Sequence, residues 1–163
     1  MKISIVLKTN EMEMNDMPEL HSYFEKFLES ITPTKEQRKR LIEGHKELIY
    51  HLQHENDFKQ DIVAIFIQGS YSRNTLIIPT EKKPLDVDVV VVTRIKRQKK
   101  SPEEAMNLFK PFLKKYYKGD YDKHKRSFGI ELSSDINLDL VITSAQSETD
   151  EFTYTKEGID QML

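Results

Sequence analysis

The chain has 163 residues, a formal net charge of −2 and no cysteine. This length allows one domain with a hydrophobic core, and the near-neutral charge gives no global basic field that would argue for duplex binding. The lack of cysteine excludes disulfides and a cysteine-based zinc ribbon, and it fits the reducing cytoplasm, where we expect the protein to act. The apolar run Ile3–Leu7 is too short for a signal peptide. No segment approaches the ~20 apolar residues of a membrane helix, so no membrane partner is expected.

Two helices are predicted before the first core strand. Apolar residues recur at helical spacing over residues 18–30 and predict the first helix. Thr34 and Gln37 form a capping box that starts the second, which should end near residue 54. We expect this second helix to pack on a sheet as a helical buttress, although Gly44 should cost it about 1 kcal/mol relative to alanine. The apolar face carries Leu41, Leu48, Ile49 and Leu52.

The first core strand is predicted over Ile62–Ile67, and it ends in the turn Gly69-Ser70. The following segment, Tyr71–Leu76, has the length to begin a helix. Backbone N–H groups in such a turn suit the phosphates of a triphosphate, and so do nearby hydroxyls. The hydroxyls available are those of Ser70, Ser72 and Thr75. A lone Gly-Ser pair is far more often a plain turn, so this signal needs support from elsewhere in the chain.

That support comes from Asp86 and Asp88, at the entry of a second strand predicted over residues 85–92. The strand is rich in valine and nearly continuous in apolar residues, which is typical of a central strand buried on both faces. Side chains two apart in a strand point the same way, roughly 7 Å apart along the chain. Two such carboxylates repel each other and lose hydration unless a cation lies between them. The opposing interpretation is that both lie solvated in the preceding loop.

A basic run over residues 94–100 follows this strand. Such runs are usually solvated connections, and the functional alternative is a contact with nucleotide phosphate or with an RNA or DNA activator. Ser101 and Glu104 then form a second capping box, and the helix should run to about Lys118. Pro111 lies inside this helix and predicts a kink or a split.

A hairpin is predicted next, with strands over residues 125–132 and 136–142. Asp139 lies inside the apolar run of the second strand, where a buried carboxylate needs a partner. Taken alone, Asp139 is best explained as a core aspartate bonded to a turn or to an arginine such as Arg126. Beside the two earlier aspartates it becomes the candidate third member of a metal-binding triad. Arg126 would contact a phosphate or pair with a carboxylate at this end of the hairpin.

The histidines give no metal or catalytic constellation by spacing. His51 and His54 lie three apart on the second helix, but no third ligand is near, and cationic side chains are favoured at a helix C-terminus. His21, His45 and His124 are scattered through the chain.

Three motifs taken together resemble a known family. They are G-S-Y-S-R-N-T at residues 69–75, L-D-V-D-V-V-V-V at residues 85–92 and N-L-D-L-V-I at residues 137–142. The combination resembles the DNA polymerase-β-type nucleotidyltransferase superfamily. Within it, the Gly-Ser-Tyr-x-x-x-Thr form is similar to the cyclic GMP–AMP synthase/DncV-like (CD-NTase) enzymes, which are bacterial second-messenger synthases of anti-phage defence. The resemblance covers residues 17–143.

The resemblance implies an α/β (α+β) nucleotidyltransferase fold, with a mixed central sheet flanked by helices and an N-terminal helical buttress. It also implies two Mg²⁺ or Mn²⁺ ions. Asp86 and Asp88 would hold both ions, and Asp139 would hold the catalytic one. Gly69 and Ser70 would bind the triphosphate of the donor NTP. Ser72, Thr75 and Arg126 complete the set of candidate nucleotide-binding residues.

By the same resemblance, the expected function is metal-dependent, template-independent nucleotidyl transfer. The product would be a cyclic di- or trinucleotide, or an oligonucleotide, made from NTPs as a second messenger. We expect residues 1–163 to be the catalytic core at the N-terminal portion of a longer two-lobed enzyme. Residues 1–16 would be a leader, and residues 144–163 would begin a connection to a C-terminal helical lobe. Whether a nucleic-acid activator is needed stays open.

Rival hypotheses stay open at this point. The nearest are a minimal antitoxin-like protein nucleotidyltransferase and a tRNA or antibiotic nucleotidyltransferase. A glycosyltransferase that uses D-x-D to bind a sugar nucleotide is a second class, although the upstream Gly-Ser and the downstream Asp139 argue against it. A third is a catalytically incomplete module that binds nucleotide or RNA.

Overall fold

The computed structural model describes residues 17–80, 83–95 and 100–145. Its elements in chain order are α1 (Met17–Ile31), α2 (Lys35–His54), β1 (Ile62–Gln68), α3 (Gly69–Ser72), β2 (Leu85–Thr93), α4 (Pro102–Asn107), α5 (Lys110–Tyr117), β3 (Tyr121–Lys123), β4 (Ser127–Ser133) and β5 (Ile136–Ser144). The leader, most of the basic run after β2 and the connection beyond residue 145 lie outside the described residues. No helix in the described ranges is long and apolar enough to cross a membrane.

Backbone contacts divide the chain into two units, residues 1–32 and residues 33–163. The described part of the first unit is α1, which confirms the predicted first helix. Its apolar side chains form one face at helical spacing, and they are exposed. They are Leu20, Tyr23, Phe24, Phe27 and Leu28.

The second unit is built on a five-stranded sheet with the order β1-β2-β5-β4-β3. The neighbouring strands β2 and β5 run parallel, and every other neighbouring pair is antiparallel. The predicted mixed central sheet is therefore confirmed. The β3 strand was not predicted, because Tyr121–Lys123 is three residues long and shows no apolar alternation. Its pairing with β4 defines it.

The main core lies between one face of the sheet and the helices α2, α4 and α5. On β2, the alternate residues Val87, Val89 and Val91 face this core, as do Leu138 and Leu140 on β5. The intervening residues of β2 face the other side, where Val90 and Val92 pack with Ala64. The last part of β2 is thus buried on both faces, as its continuous valine run predicted.

The helix α2 is the predicted buttress on this sheet. Its start is fixed by Thr34, whose hydroxyl accepts the Gln37 N–H at 3.2 Å. Leu41, Leu48 and Leu52 are fully buried. The glycine at position 44 allows a close approach, because a Cβ there would collide with the Leu132 side chain of β4.

The predicted helix after β2 is split, as Pro111 indicated. α4 begins at the Ser101–Glu104 capping box, with Pro102 in its first turn. α5 begins again at Lys110 and carries Pro111 in its own first turn, where a missing N–H costs no hydrogen bond.

Candidate active site

Three aspartates converge because β2 and β5 run parallel and in register. Asp88 lies opposite Asp139, and Asp86 lies opposite Asn137. Alternation along each strand puts the three carboxylates on the face of the sheet opposite the helices. One oxygen from each of Asp86, Asp88 and Asp139 lies within 4.8 Å of the other two. Asp86 is exposed, whereas Asp88 and Asp139 are half-buried.

The electrostatics of this acidic triad, Asp86, Asp88 and Asp139, reflect burial and crowding. Burial is the main cause that raises the pKa of Asp88, and the negative charges of Asp86 and Asp139 raise it further. Burial likewise raises the pKa of Asp139, and Asp86 adds to the effect. Two basic side chains oppose these shifts, Arg73 near Asp88 and His124 near Asp139. The triad is therefore short of positive charge.

Gly69 places the turn after β1 directly against the triad. The last residue of β1, Gln68, pairs with Asp88. Gly69 follows with φ of 83°, a left-handed conformation that favours glycine. A Cβ built on Gly69 would collide with Oδ2 of Asp88. The Gly-Ser turn and the D-x-D strand, which are 16 residues apart in sequence, therefore meet at one place in the fold.

Two of the three hydroxyls assigned to phosphate already stabilise the turn itself. The Ser72 hydroxyl donates to the Gly69 carbonyl at 3.1 Å, and the Thr75 hydroxyl donates to the Ser70 carbonyl at 3.4 Å. The Thr75 N–H also donates to Ser70 at 2.9 Å. These bonds hold α3 in a tight turn and leave oxygen lone pairs free to accept further hydrogen bonds. A nucleotide-binding role for Ser70, Ser72 and Thr75 stays a prediction.

Arg126 lies beside a cavity near the ends of β2 and β5. It lines a cavity of about 550 Å³ together with Ala105 and Met106 of α4, and with residues at the C-terminal ends of β2 and β5. Among the described residues that line this cavity there is none of the three aspartates. A contact between Arg126 and nucleotide therefore stays a prediction.

Sequence reasoning passed over two residues, Arg73 and His124. Arg73 is the fifth residue of the G-S-Y-S-R-N-T motif, so the proximity of that motif to the D-x-D strand was the signal that could have found it. His124 was treated as scattered. It lies near Asp139 because β3 pairs with β4, and a three-residue strand without a pattern gives no sequence signal.

The acidic triad fits a hard divalent cation. Three carboxylate oxygens within 4.8 Å repel one another unless positive charge lies among them, as the raised pKa values of Asp88 and Asp139 reflect. Oxygen-only donors favour Mg²⁺ or Mn²⁺. An acidic triad of this kind is typical of metal-dependent nucleotidyl transfer.

The mixed sheet and the acidic triad together define a nucleotidyltransferase-type domain. The fold is like that of a Bradyrhizobium diazoefficiens CD-NTase, CdnG, solved in complex with GTP: the TM-score is 0.60 at 13% identity, over 72% of this chain and 35% of that one. It is also like the fold in an E. coli MS115-1 CdnC:HORMA-deltaN complex, with a TM-score of 0.52 at 18% identity, over 78% of this chain and 42% of that one.

The chain belongs to the SMODS family, described as the Second Messenger Oligonucleotide or Dinucleotide Synthetase domain, which it matches over residues 17–159. It is 44% identical over 126 residues to a cyclic AMP-AMP-GMP synthase of Enterobacter hormaechei subsp. hoffmannii (strain UCI 50), covering 77% of this chain and 33% of that protein. It is 44% identical over 133 residues to a probable cyclic AMP-AMP-GMP nucleotide synthase of Salmonella paratyphi B, covering 82% of this chain and 35% of that protein. The chain thus spans about a third of the length of these relatives. The resemblance drawn from the three motifs is confirmed.

Proposed function

We propose that the protein synthesises a cyclic oligonucleotide second messenger from NTPs by metal-dependent nucleotidyl transfer. The observation that carries the proposal is the acidic triad on two parallel strands, with the Gly69 turn packed against Asp88. A carboxylate cluster beside a tight glycine turn suits a metal-bound triphosphate, because the metal binds the carboxylates and backbone N–H groups of such a turn can bind phosphate.

The three aspartates divide into two roles in this proposal. Asp86 and Asp88 would hold two divalent ions, and Asp139 would join them in holding the ion nearer the acceptor hydroxyl. Bound ions would neutralise triphosphate charge and lower the pKa of that hydroxyl. The half-buried position of Asp139 lets its carboxylate take the proton that the acceptor releases. Gly69 and Ser70 would orient the donor phosphates, so that the chain contributes mainly positioning and charge complementarity.

ATP and GTP are the substrates that we propose, with a cyclic trinucleotide as the product. The support is the 44% identity to two relatives named as cyclic AMP-AMP-GMP synthases. Both relatives are about three times as long as the segment that matches this chain. We therefore also propose that this core works with a further helical lobe, which would hold the bases and close the cleft.

The test is a product assay. The purified protein is incubated with four labelled NTPs and Mg²⁺ or Mn²⁺, treated with phosphatase and resolved chromatographically. We expect a phosphatase-resistant product that requires ATP and GTP. Label on protein, RNA or a drug acceptor would contradict the second-messenger proposal and favour another polymerase-β-type enzyme. Metal-dependent binding of NTP without product would show that nucleotidyl transfer needs the proposed helical lobe, and the absence of both binding and product would contradict the proposed function.

The double substitution Asp86→Asn and Asp88→Asn should abolish the product while the fold persists, because the amides keep the shape of the carboxylates but lose their charge. Asp57→Asn is the matched control, since Asp57 is exposed in the turn after α2. The control should retain full turnover. Unchanged turnover in the double variant would contradict the assignment of the acidic triad as the active site.

A further inference from the structure

The imidazole of His124 lies in a space that exists because residue 129 is a glycine. A Cβ built on Gly129 would stand 2.6 Å from Nε2 of His124 and 3.3 Å from its Cδ2. The same Cβ would stand 3.5 Å from Oδ1 of Asp139. The Nε2 atom and the Asp139 carboxylate are therefore at most about 6 Å apart, a span that one bridging water can cover.

The three outer strands bring these residues together. Gly129 of β4 pairs with Asp139 of β5 on one side and with Asp122 of β3 on the other. His124 follows β3 in the tight turn to β4, where its N–H donates to the Ser127 carbonyl at 2.9 Å. Alternation along β3 puts the His124 side chain on the same face of the sheet as Asp122, which is the face of the triad.

The helix side of the sheet anchors the alternate residues of β3. Lys123 bonds to Glu103 of α4 at 2.5 Å. The ring of Tyr121 packs edge-on against Phe128, with 5.9 Å between centroids. These contacts hold β3 from the opposite side of the sheet, while His124 itself is exposed.

Glycine is favoured at position 129 because the imidazole of His124 occupies the space of a side chain, and not because of the backbone conformation. It is buried in the middle of β4, and its φ is not in the left-handed region, so any residue could adopt this backbone. The nearest atoms that an added Cβ would meet belong to the imidazole of His124, and its contact with Asp139 would be an ordinary van der Waals contact.

We propose that His124 is a positioning residue, whose imidazole over Gly129 orients the Asp139 carboxylate toward the metal site. The inference rests on the proposed function, because it takes the triad to be the metal site. Groups that orient a ligating carboxylate contribute to metal affinity without touching the ion. The lowering of the Asp139 pKa by His124 agrees with this proximity.

The direction in which metal affinity changes on removal of His124 distinguishes a positioning role from a purely electrostatic one. A nearby positive charge repels a cation, so removal of a histidine that acts only by charge would tighten metal binding. Removal of a histidine that orients Asp139 would weaken metal binding, since the freed carboxylate would lose its preferred direction. Metal affinity, measured without substrate, therefore tests the proposal directly.

The experiment is a Mn²⁺ titration of the purified protein followed by electron paramagnetic resonance. His124→Ala should weaken Mn²⁺ binding about tenfold, the lower end for residues that orient metal ligands. Gly129→Ala should weaken it similarly by displacing the imidazole, yet should add nothing in the His124→Ala background. His124→Gln, which keeps an N–H donor, should recover part of the affinity. Lys125→Ala, which removes a positive charge from the same turn, is the control and should leave the affinity unchanged.

Several outcomes would overturn the proposal. Unchanged or tighter Mn²⁺ binding by His124→Ala would do so, and so would full additivity of the His124 and Gly129 substitutions. The thermal unfolding midpoint, measured in EDTA, shows whether each variant is folded. Asp139→Asn distinguishes a failure of the proposed metal site from a failure of the positioning role of His124. If it leaves Mn²⁺ binding intact, the metal site itself is wrong, and if it weakens binding while His124→Ala does not, only the positioning role is wrong.

Discussion

Gly69 is constrained twice, by its backbone angle and by the space beside it. Its φ of 83° favours glycine, and a Cβ would enter the position of the Asp88 carboxylate. We expect Gly69→Ala to lose about 1–2 kcal/mol of unfolding free energy from backbone strain. It should also abolish Mn²⁺ binding and product formation, because Asp88 must move. Unfolding in urea and the Mn²⁺ titration measure the two effects separately.

Gly119 supplies the matched control for this prediction. It has φ of 109°, and a Cβ on it would meet nothing within 4 Å. Gly119→Ala should therefore lose a similar free energy of unfolding and keep its Mn²⁺ affinity. Equal metal binding in both glycine variants would show that the approach of Gly69 to Asp88 does not matter for the site.

The residues of the triad could be predicted because each is a charged side chain next to or inside an apolar strand. A carboxylate inside an apolar strand costs free energy unless something compensates it, and the strand period alone places Asp86 and Asp88 on one face. Arg126 and His124 could not be predicted in this way. Both are polar residues at the tip of a hairpin, where the direction of a side chain depends on pairing between strands. Arg126 stays a predicted nucleotide-binding residue, whereas the histidine two positions before it lies near Asp139.

At the scale of elements, a charged cluster joins α2 to the turn between β4 and β5. Arg40 donates to both carboxylate oxygens of Asp135, at 3.0 and 2.9 Å. Gln37 and Ser133 donate to the same carboxylate, at 3.2 and 2.8 Å. The Arg40 guanidinium is the main cause that lowers the pKa of Asp135 from 3.8 to about 2. This connection fixes the buttress against the sheet at the end near the D-x-D strand, since the Leu85 N–H donates to the Asp135 carbonyl.

The depressed pKa gives a stability that depends on pH. Because the folded pKa of Asp135 is below its unfolded value, the contribution is fully present above pH 4 and is lost as pH falls toward 2. Asp135→Asn should lower the free energy of unfolding by about 1–2 kcal/mol at pH 7, after allowance for solvent screening. The difference between wild type and variant, from urea unfolding, should shrink between pH 4 and pH 2. A difference that stays constant across that window would contradict the prediction.

Elements with a strong hydrophobic periodicity could be predicted from the sequence, and the short strand β3 could not. The helix α2 carries a capping box and a continuous apolar face, and β2 carries six apolar residues in nine. The division between α4 and α5 followed from Pro111 alone. By contrast, Tyr121–Lys123 becomes a strand because β4 is present beside it. Long-range pairing of this kind overrides local propensity, and His124 was missed as a consequence.

On the scale of the whole molecule, the hydrophobic core and the candidate active site lie on opposite faces of the sheet. The face toward α2, α4 and α5 carries the main core, and the opposite face carries the acidic triad beside a small apolar cluster. Parallel pairing of β2 and β5 at the centre is what aligns Asp88 with Asp139. The mixed sheet was expected from the resemblance of the three motifs, and the helix-containing connection between β2 and β5 is compatible with their parallel pairing.

The acidic triad should make the protein more stable with metal than without it. Half-buried like charges oppose folding when no cation is present, as the raised pKa values of Asp88 and Asp139 indicate. Asp88→Asn should therefore gain about 1 kcal/mol of unfolding free energy in EDTA, because it removes one of the crowded charges. Mn²⁺ at 100 times its dissociation constant should stabilise the wild type by about 2.7 kcal/mol and leave the variant unchanged. The order of the two thermal unfolding midpoints would then reverse between EDTA and Mn²⁺. If Mn²⁺ moved neither midpoint, the carboxylates would not form a metal site, and their crowding on one face of the sheet would need another cause.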